Sequence, residues 1–194
     1  MTWSFFALIS RMRHIARWGL MRSAIPENIQ EHSHMVAVLA HSLAVIRNQV
    51  FGGHTDPGWC AVYALYHDAP EILTGDLPTP VKYYNPAIKE AYKAVERVSA
   101  DKLASLLPPE LREVYVPLLR EEADPETHAI VKAADKLSAY IKCMEELHAG
   151  NREFEQAQKQ LRSVLDASPL PEVGYFMEHF LSPFGQTLDE LQSF

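Results

Sequence analysis

Three polar side chains lie together in a segment that is otherwise apolar. Residues 59–73 are almost entirely hydrophobic, yet they include His67, Asp68 and Glu71. The apolar run predicts a buried helix, in which charge is costly unless it is paired or bound to a metal. On such a helix His67 and Glu71 share a face, and Asp68 reaches the same point from the flank. The three groups therefore predict a metal site, or else two acids that reach solvent at the end of the helix.

A second source of ligands is the segment 28–43, which contains three histidines. At about 100° per residue, His32 shares the most apolar face with Val36 and Leu39, whereas His34 and His41 fall near the opposite side. A lone inward histidine is more often hydrogen-bonded within a core, but a second buried polar cluster favours a ligand. Imidazole and carboxylate groups suit Zn, Mn, Fe, Co or Ni, and because no cysteine stands among them a structural zinc site is disfavoured.

The elements that position these residues are predicted to be helices. Apolar residues recur at intervals of three and four and no strict alternation persists, which predicts a compact all-α bundle. The predicted helices cover about 2–15, 28–48, 56–72, 84–107, 109–122, 125–149, 151–167 and 171–180. Two prolines and a glycine within 74–80 predict a non-helical loop directly after the helix that carries His67.

The bulk composition limits the class of function. The chain has 194 residues, 47% of them apolar. This length and composition predict one domain over residues 1–194. Its formal charge of −7 argues against binding to a nucleic-acid polymer, so an anionic substrate must meet a local charge or a metal. Residues 1–26 supply such a local charge, because they include Arg11, Arg13, Arg17 and Arg22 and no acid.

The sequence predicts a cytoplasmic protein. No apolar run approaches the roughly 18 residues needed to cross a bilayer, so no membrane contact is expected. Cys60 and Cys143 are far apart in helical patterns and are predicted to be reduced core thiols. An organellar transit peptide at the arginine-rich start is the alternative.

Four stretches carry a resemblance to a known family. One histidine, a later His-Asp pair and a distant aspartate form the pattern of the HD-domain phosphohydrolases, matched by His32, His67-Asp68 and Asp135. The longer stretches 17–22, 31–33, 67–83 and 132–137 resemble the bacterial HD-domain 5'-deoxynucleotidases, the YfbR-like enzymes. The resemblance covers almost the whole chain.

The resemblance implies an HD-domain bundle with one divalent transition metal between helices, bound by His32, His67, Asp68 and Asp135. Cobalt, manganese or copper is the implied metal, and zinc, iron, nickel or magnesium remains open. Glu71 would handle the proton of the attacking water, and Arg17 would contact the phosphate. Substrate contacts are implied for Trp18, Asp76, Leu77, Pro78 and Thr79, and also for Asp68 and Asp135. The implied reaction is hydrolysis of deoxyribonucleoside 5'-monophosphates to deoxyribonucleosides and inorganic phosphate by a homodimer that selects against ribonucleotides.

At Asp135 and Pro70 the residue pattern alone gives expectations that the resemblance does not. Asp135 lies off the apolar stripe of its helix, so periodicity predicts a solvent-facing acid and its ligand role rests on the resemblance. Pro70 is expected to kink or end the helix near Glu71, because it lacks the backbone N–H. Other interpretations are an HD phosphohydrolase for a cyclic nucleotide, a triphosphate or an alarmone, a non-catalytic nucleotide- or metal-binding module, and a structural protein with hydrogen-bonded core histidines.

Overall fold

The fold is helical throughout the part of the chain that the structure describes. The structure, a computed structural model, covers residues 2–82 and 84–192 and leaves the side chains of Thr79 and Pro80 undescribed. Within these ranges there is no β-strand, only an isolated antiparallel bridge between Ala16 and Asn28. The all-α prediction is therefore confirmed.

The α-helices are α1 (Phe5–Ile9), α2 (Ile29–Phe51), α3 (Pro57–Tyr66), α4 (Glu71–Thr74), α5 (Thr79–Lys82), α6 (Pro86–Ser105), α7 (Pro109–Leu119), α8 (Pro125–His148), α9 (Glu155–Asp166), α10 (Pro171–His179) and α11 (Leu188–Leu191). Short 3-10 helices cover Ser10–His14, Arg152–Phe154 and Ser182–Gly185. None of the described helices has the length and apolar character needed to cross a membrane.

Helix α2 is the central element and packs against α3, α8 and α10. It begins at a capping box, in which the Asn28 side chain accepts from the first-turn N–H groups and Glu31 accepts from the Asn28 N–H. It ends at Gly52, whose φ of 72° lies in the left-handed region that glycine adopts without a steric penalty. These local signals fix both ends of the helix that carries His32.

The main hydrophobic core lies where α2, α3, α8 and α10 meet. The face of α2 that carries His32 also carries Val36, Leu39 and Leu43, each at most 2% exposed. His34 is exposed on the opposite side, as the periodicity predicts. Burial of each large apolar side chain contributes about 1.5–3 kcal/mol, so this core holds α2, α3 and α8 in fixed relative positions.

A second apolar cluster joins the chain start to α6 and α7. Phe5 and Met12 pack there with Leu103, Leu107 and Leu119. Ile29 at the start of α2 and Ala69 between α3 and α4 belong to the same cluster. The turn that carries the His-Asp pair therefore packs against this second cluster.

The predicted continuous helix over 56–72 is wrong, because α3 ends at Tyr66 and α4 begins at Glu71. The cause is Pro70, whose ring would clash with the carbonyl of Tyr66, four residues earlier. The chain instead makes tight turns, with Ala69 N–H donating to Tyr66 O over 3.0 Å and Glu71 N–H donating to Asp68 O over 3.0 Å. Pro70 thus interrupts the helix before Glu71 instead of kinking it.

Other boundaries differ from the prediction in smaller ways. The first predicted helix divides into α1 and a 3-10 segment, and the loop after α4 is confined to residues 75–78 because α5 begins at Thr79. Residues 182–185 and 188–191 form short helices that the apolar pattern does not predict. Cys60 and Cys143 are buried free thiols, which confirms that interpretation.

Candidate metal centre

Helices α2 and α8 bring together a histidine and an aspartate that are distant in sequence. Nε2 of His32 lies 3.0 Å from Oδ1 of Asp135. The His32 side chain is fully buried, whereas that of Asp135 is 32% exposed. Asp135 is therefore partly exposed, as periodicity predicts, but it faces the cluster.

The turn after α3 adds the His-Asp pair to the same point. Oδ2 of Asp68 lies 3.2 Å from Nε2 of His67 and 3.6 Å from Nε2 of His32. One ligand atom each from His32, His67 and Asp135 lies within 4.8 Å of the other two. These three residues could hold a metal ion, and Asp68 lies against the same atoms.

The hydrogen bonds of the imidazoles determine which nitrogen faces the cluster. Nδ1 of His67 lies 2.6 Å from the carbonyl oxygen of Ala64, which can only accept, so Nδ1 carries the proton. In the neutral ring Nε2 then keeps its lone pair, and Oδ2 of Asp68 lies 3.2 Å from this buried atom without forming a well-aligned hydrogen bond to it. For His32, the outer nitrogen Nδ1 lies 3.2 Å from Oγ of Ser138. An outer hydrogen bond that fixes the ring while Nε2 points inward is the usual arrangement for a metal-binding histidine.

The side chains of the cluster shift one another's pKa values. Burial opposes ionisation of Asp68, but the neighbouring His67 outweighs it and holds the pKa of that carboxyl well below its usual range. The pKa of Asp135 is also lowered against the effect of burial, chiefly by its hydrogen bond to His32. The pKa of His67 is raised, because the Asp68 carboxylate outweighs the burial of the ring. The two carboxylates thus favour positive charge between them, whether it is a proton or a cation.

Glu71 lies beside the cluster without joining it. The residue is 6% exposed, and its Oε2 has no hydrogen-bond partner among the described residues. Burial raises the pKa of Glu71 to about 10, with further contributions from the carboxylates of Asp68 and Asp76. This carboxyl group therefore keeps its proton until positive charge is brought to the cluster.

Arg17 and Trp18 approach the cluster from the irregular segment between the first 3-10 helix and α2. Nη1 of Arg17 lies 3.5 Å from Oδ2 of Asp68, and its Nε donates to Oε2 of Glu27 over 3.0 Å. The indole N–H of Trp18 donates to the same Glu27 oxygen over 2.9 Å. Trp18 has a φ of 60°, which is rare for a large side chain, and its ring centroid lies 5.2 Å from that of Phe154. One carboxylate thus orients both residues.

The same irregular segment is fastened to α8 by a buried carboxylate. Glu146 is fully buried and accepts from the backbone N–H groups of Ala24 and Ile25 over 2.7 and 3.0 Å. It also accepts from Lys142 and from the side chain of Asn151. Lys142 in turn donates to the carbonyl of Ile25. A buried charge with this many partners is well satisfied, so it fixes the loop instead of destabilising it.

The loop after α4 provides the remaining predicted residues. Asp76 is half-buried and close enough to Arg17 and Asp68 for their charges to affect its pKa, which burial raises. Leu77 and Pro78 are half-buried in the same loop, and no contact between them and the cluster is described. The side chain of Thr79 lies outside the described residues.

The sequence did not single out Glu27 or Glu146. Glu27 has no periodic signal, because it precedes α2 in a non-helical segment. Glu146 did carry a signal, since it lies four positions after Lys142 on one helix, a spacing at which opposite charges pair. Both residues connect the Arg17–Trp18 segment to the rest of the molecule.

Comparison with known proteins gives relatives across nearly the full length. A 5'-deoxynucleotidase of Photobacterium profundum is 51% identical over 188 residues, which cover 96% of this chain and 97% of that protein. The 5'-deoxynucleotidase YfbR of Shigella boydii serotype 18 is 50% identical over 188 residues, covering 96% and 94% of the two chains.

Two solved structures with a similar fold are named HD phosphohydrolases. One from Listeria innocua has a TM-score of 0.82 at 22% identity and covers 93% of this chain and 88% of its own. The cyanophage S-2L HD phosphohydrolase, solved with dA and one catalytic Zn²⁺ ion, has a TM-score of 0.62 at 24% identity, covering 90% and 95%. Residues 4–184 match the family described as 5'-deoxynucleotidase YfbR-like, and the chain belongs to that family.

Proposed function

We propose that the protein is a metal-dependent 5'-deoxynucleotidase. It hydrolyses deoxyribonucleoside 5'-monophosphates to deoxyribonucleosides and inorganic phosphate and selects against ribonucleotides. The observation that carries this proposal is the position of Arg17, whose Nη1 lies 3.5 Å from Asp68 at the edge of the His-Asp cluster. Relatives named 5'-deoxynucleotidase, 50–51% identical over 96% of the chain, support the same reaction.

One divalent transition metal fits the cluster. Its ligands would be His32, His67, Asp68 and Asp135, and the observation that favours this assignment is that one ligand atom each from His32, His67 and Asp135 lies within 4.8 Å of the other two. When bound, such a cation supplies Lewis acidity that neutralises phosphate charge and makes water a better nucleophile at neutral pH. Cobalt, manganese or copper is proposed from the family resemblance, and the two imidazoles and two carboxylates also suit zinc, iron, nickel or magnesium.

Glu71 is proposed to accept the proton of the attacking water. Its Oε2 is buried beside Asp68 and makes no hydrogen bond to a described residue, so it is available to a water molecule. A carboxylate held in place within reach of the nucleophile acts as a general base.

Arg17 is proposed to bind the phosphate. A guanidinium remains charged at any physiological pH and can donate to two phosphate oxygens at once. Because its Nε donates to Glu27, its orientation is already set before substrate binds. Because Nη1 lies close to Asp68, a phosphate bound by Arg17 would lie against the cluster.

Discrimination between the two sugars is proposed for Trp18 and the loop of Asp76 to Thr79, which includes Leu77 and Pro78. An apolar wall rejects an added hydroxyl group by only about a hundredfold. Close contact with a fixed indole, together with a hydrogen bond from the sugar to Asp76, would increase this selection. The hydrogen bond from the indole to Glu27 keeps the wall in one position.

The wider assignments also follow from the resemblance. We propose that residues 1–194 form one HD phosphohydrolase domain, supported by the family match over 4–184. A cytoplasmic homodimer is proposed, and the two buried free thiols are consistent with a reducing compartment.

The proposal is tested by phosphate release from matched deoxyribo- and ribonucleoside monophosphates. The wild-type protein is assayed after chelation and after each metal is restored, and activity is expected only with metal. Glu71→Ala is expected to lower kcat by about 100- to 10,000-fold. Glu113→Ala, at an exposed position on α7, is the matched control and should retain full activity. Activity that survives complete chelation would contradict the mechanism.

A further inference from the structure

A cavity lies directly against the cluster. It has a volume of about 430 Å³, and His67, Asp68 and Glu71 form one of its walls. The other walls come from the end of α5, from α6, from the end of α7 and the residues after it, and from the start of α8. Neither Arg17, Trp18 nor Asp76 lines it.

The cavity is unusually cationic for an acidic protein. Six basic side chains line it, against four carboxylates, in a chain whose net charge is −7. The basic residues are Lys82, Lys89, Lys93, Arg97, Arg120 and Lys132. Such a concentration of one sign of charge attracts anions into a cleft.

Three of these cations form a stripe on one face of α6. Lys89, Lys93 and Arg97 follow one another at intervals of four residues. Like charges at this spacing destabilise a helix, so the stripe is not explained by the stability of α6. Lys93 and Arg97 make no ion pair or hydrogen bond with another residue in the described part of the chain.

Other cations of the cavity differ, because they are paired within its walls. Lys82 donates to Glu96 over 2.8 Å, and Lys132 donates to Glu121 over 2.9 Å. The charges of Lys93 and Arg97 are therefore available to a ligand. An ammonium and a guanidinium only donate hydrogen bonds, which suits them to phosphate oxygens.

We propose that this cavity is a second anion site that receives the inorganic phosphate released at the cluster. This inference rests on the proposed function, in which the nucleoside lies on the side of Trp18 and the phosphate lies at the cluster. Because His67, Asp68 and Glu71 line the cavity, phosphate released at the cluster is already at its wall. Lys93 and Arg97 bind it there.

The test is isothermal titration of inorganic phosphate into the metal-loaded protein. The wild type is expected to bind a second phosphate in addition to the one at the cluster. In the double variant Lys93→Gln/Arg97→Gln this second binding should weaken by about five- to thirtyfold, because two charge-assisted contacts are lost. The control Lys102→Gln/Lys159→Gln removes two charges from exposed positions outside the cavity and should bind like the wild type.

An isotherm for Lys93→Gln/Arg97→Gln that is identical to that of the wild type overturns the inference. Equal weakening in the control also overturns it, since net charge alone would then account for the effect. Titration requires no turnover, so the result does not depend on the deoxynucleotidase assay. If the wild type releases no phosphate from any deoxyribonucleotide, the proposed function fails, while the isotherms still decide whether the cavity binds phosphate.

Discussion

Oε2 of Glu27 accepts the indole N–H of Trp18 over 2.9 Å, and the same oxygen accepts Nε–H of Arg17 over 3.0 Å. The Glu27 side chain is only 14% exposed, so both hydrogen bonds are sheltered from water. The residue proposed to bind phosphate and the residue proposed to select the sugar are thus oriented by one atom. Glu27 is a positioning residue in this arrangement, because it acts through its two neighbours.

Glu27→Gln is expected to lower kcat/KM for a deoxyribonucleoside monophosphate by about tenfold or more, since a hydrogen bond to a charged group is weakened. The ratio of deoxyribo- to ribonucleotide rates should fall as well, because Trp18 loses part of its anchor. The measurement is steady-state kinetics on dAMP and AMP. Glu113→Gln is the matched control, and a Glu27→Gln enzyme with unchanged ratio and KM would remove Glu27 from the site.

Trp18→Ala is expected to reduce the preference for dAMP over AMP by about tenfold, because the wall against the 2'-hydroxyl is removed. The rate on dAMP should fall less than the preference does. Trp3→Ala serves as the control, since Trp3 is 43% exposed and is not among the proposed site residues. An unchanged preference would show that the sugar is selected elsewhere.

Metal binding should stabilise the fold. At a metal concentration a hundredfold above Kd, the melting temperature is expected to rise by about 5 to 10 °C over that of the chelated protein. His32→Asn should abolish this rise, whereas His34→Asn, two residues along the same helix and exposed, should retain it. Differential scanning calorimetry with and without metal makes the comparison, and an equal rise in both variants would argue against the cluster as the metal site.

Acid should remove the contribution of Glu146 to stability. Its hydrogen bond to Lys142, together with backbone donors, outweighs burial and lowers the pKa of Glu146 to about 2 in the folded protein from an ordinary value of 4.5. A lowered folded-state pKa means that the ionised form stabilises the fold above about pH 4.5, and that this contribution is lost as the pH falls towards 2.

Glu146→Gln is therefore expected to lower the free energy of unfolding by about 2 to 4 kcal/mol at pH 7, because Lys142 is left buried without its counter-charge. The difference from the wild type should shrink as the pH falls from about 4.5 to 2. Urea unfolding at several pH values measures it. A difference that is the same at pH 7 and pH 3 would contradict this assignment.

The parts of the site that lie on regular helices could be predicted from the sequence. His32 is an example, because a period of about 100° per residue separates its buried face from that of His34. Asp135 shows the limit of that method. It lies off the apolar stripe of α8 and is partly exposed, so only its resemblance to a family motif identified it.

The irregular segments could not be predicted in the same way. The turn around Asp68 forms because Pro70 would clash with the carbonyl four residues earlier in a continuous helix. Helix α3 therefore ends before the apolar pattern ends. The position of Trp18 depends on a positive φ and on hydrogen bonds to Glu27, and these are tertiary features without a periodic signal.

Glu146 on α8 holds Ala24 and Ile25 by hydrogen bonds, and this has a consequence for the thermal inactivation of the enzyme. The wall formed by Arg17 and Trp18 is tied to the C-terminal turn of a core helix through a fully buried side chain, so it is expected to stay in place for as long as the core does. Selection of deoxyribose over ribose then depends on the integrity of the whole fold. On warming, a sample should lose active molecules altogether, while those still active remain as selective as before.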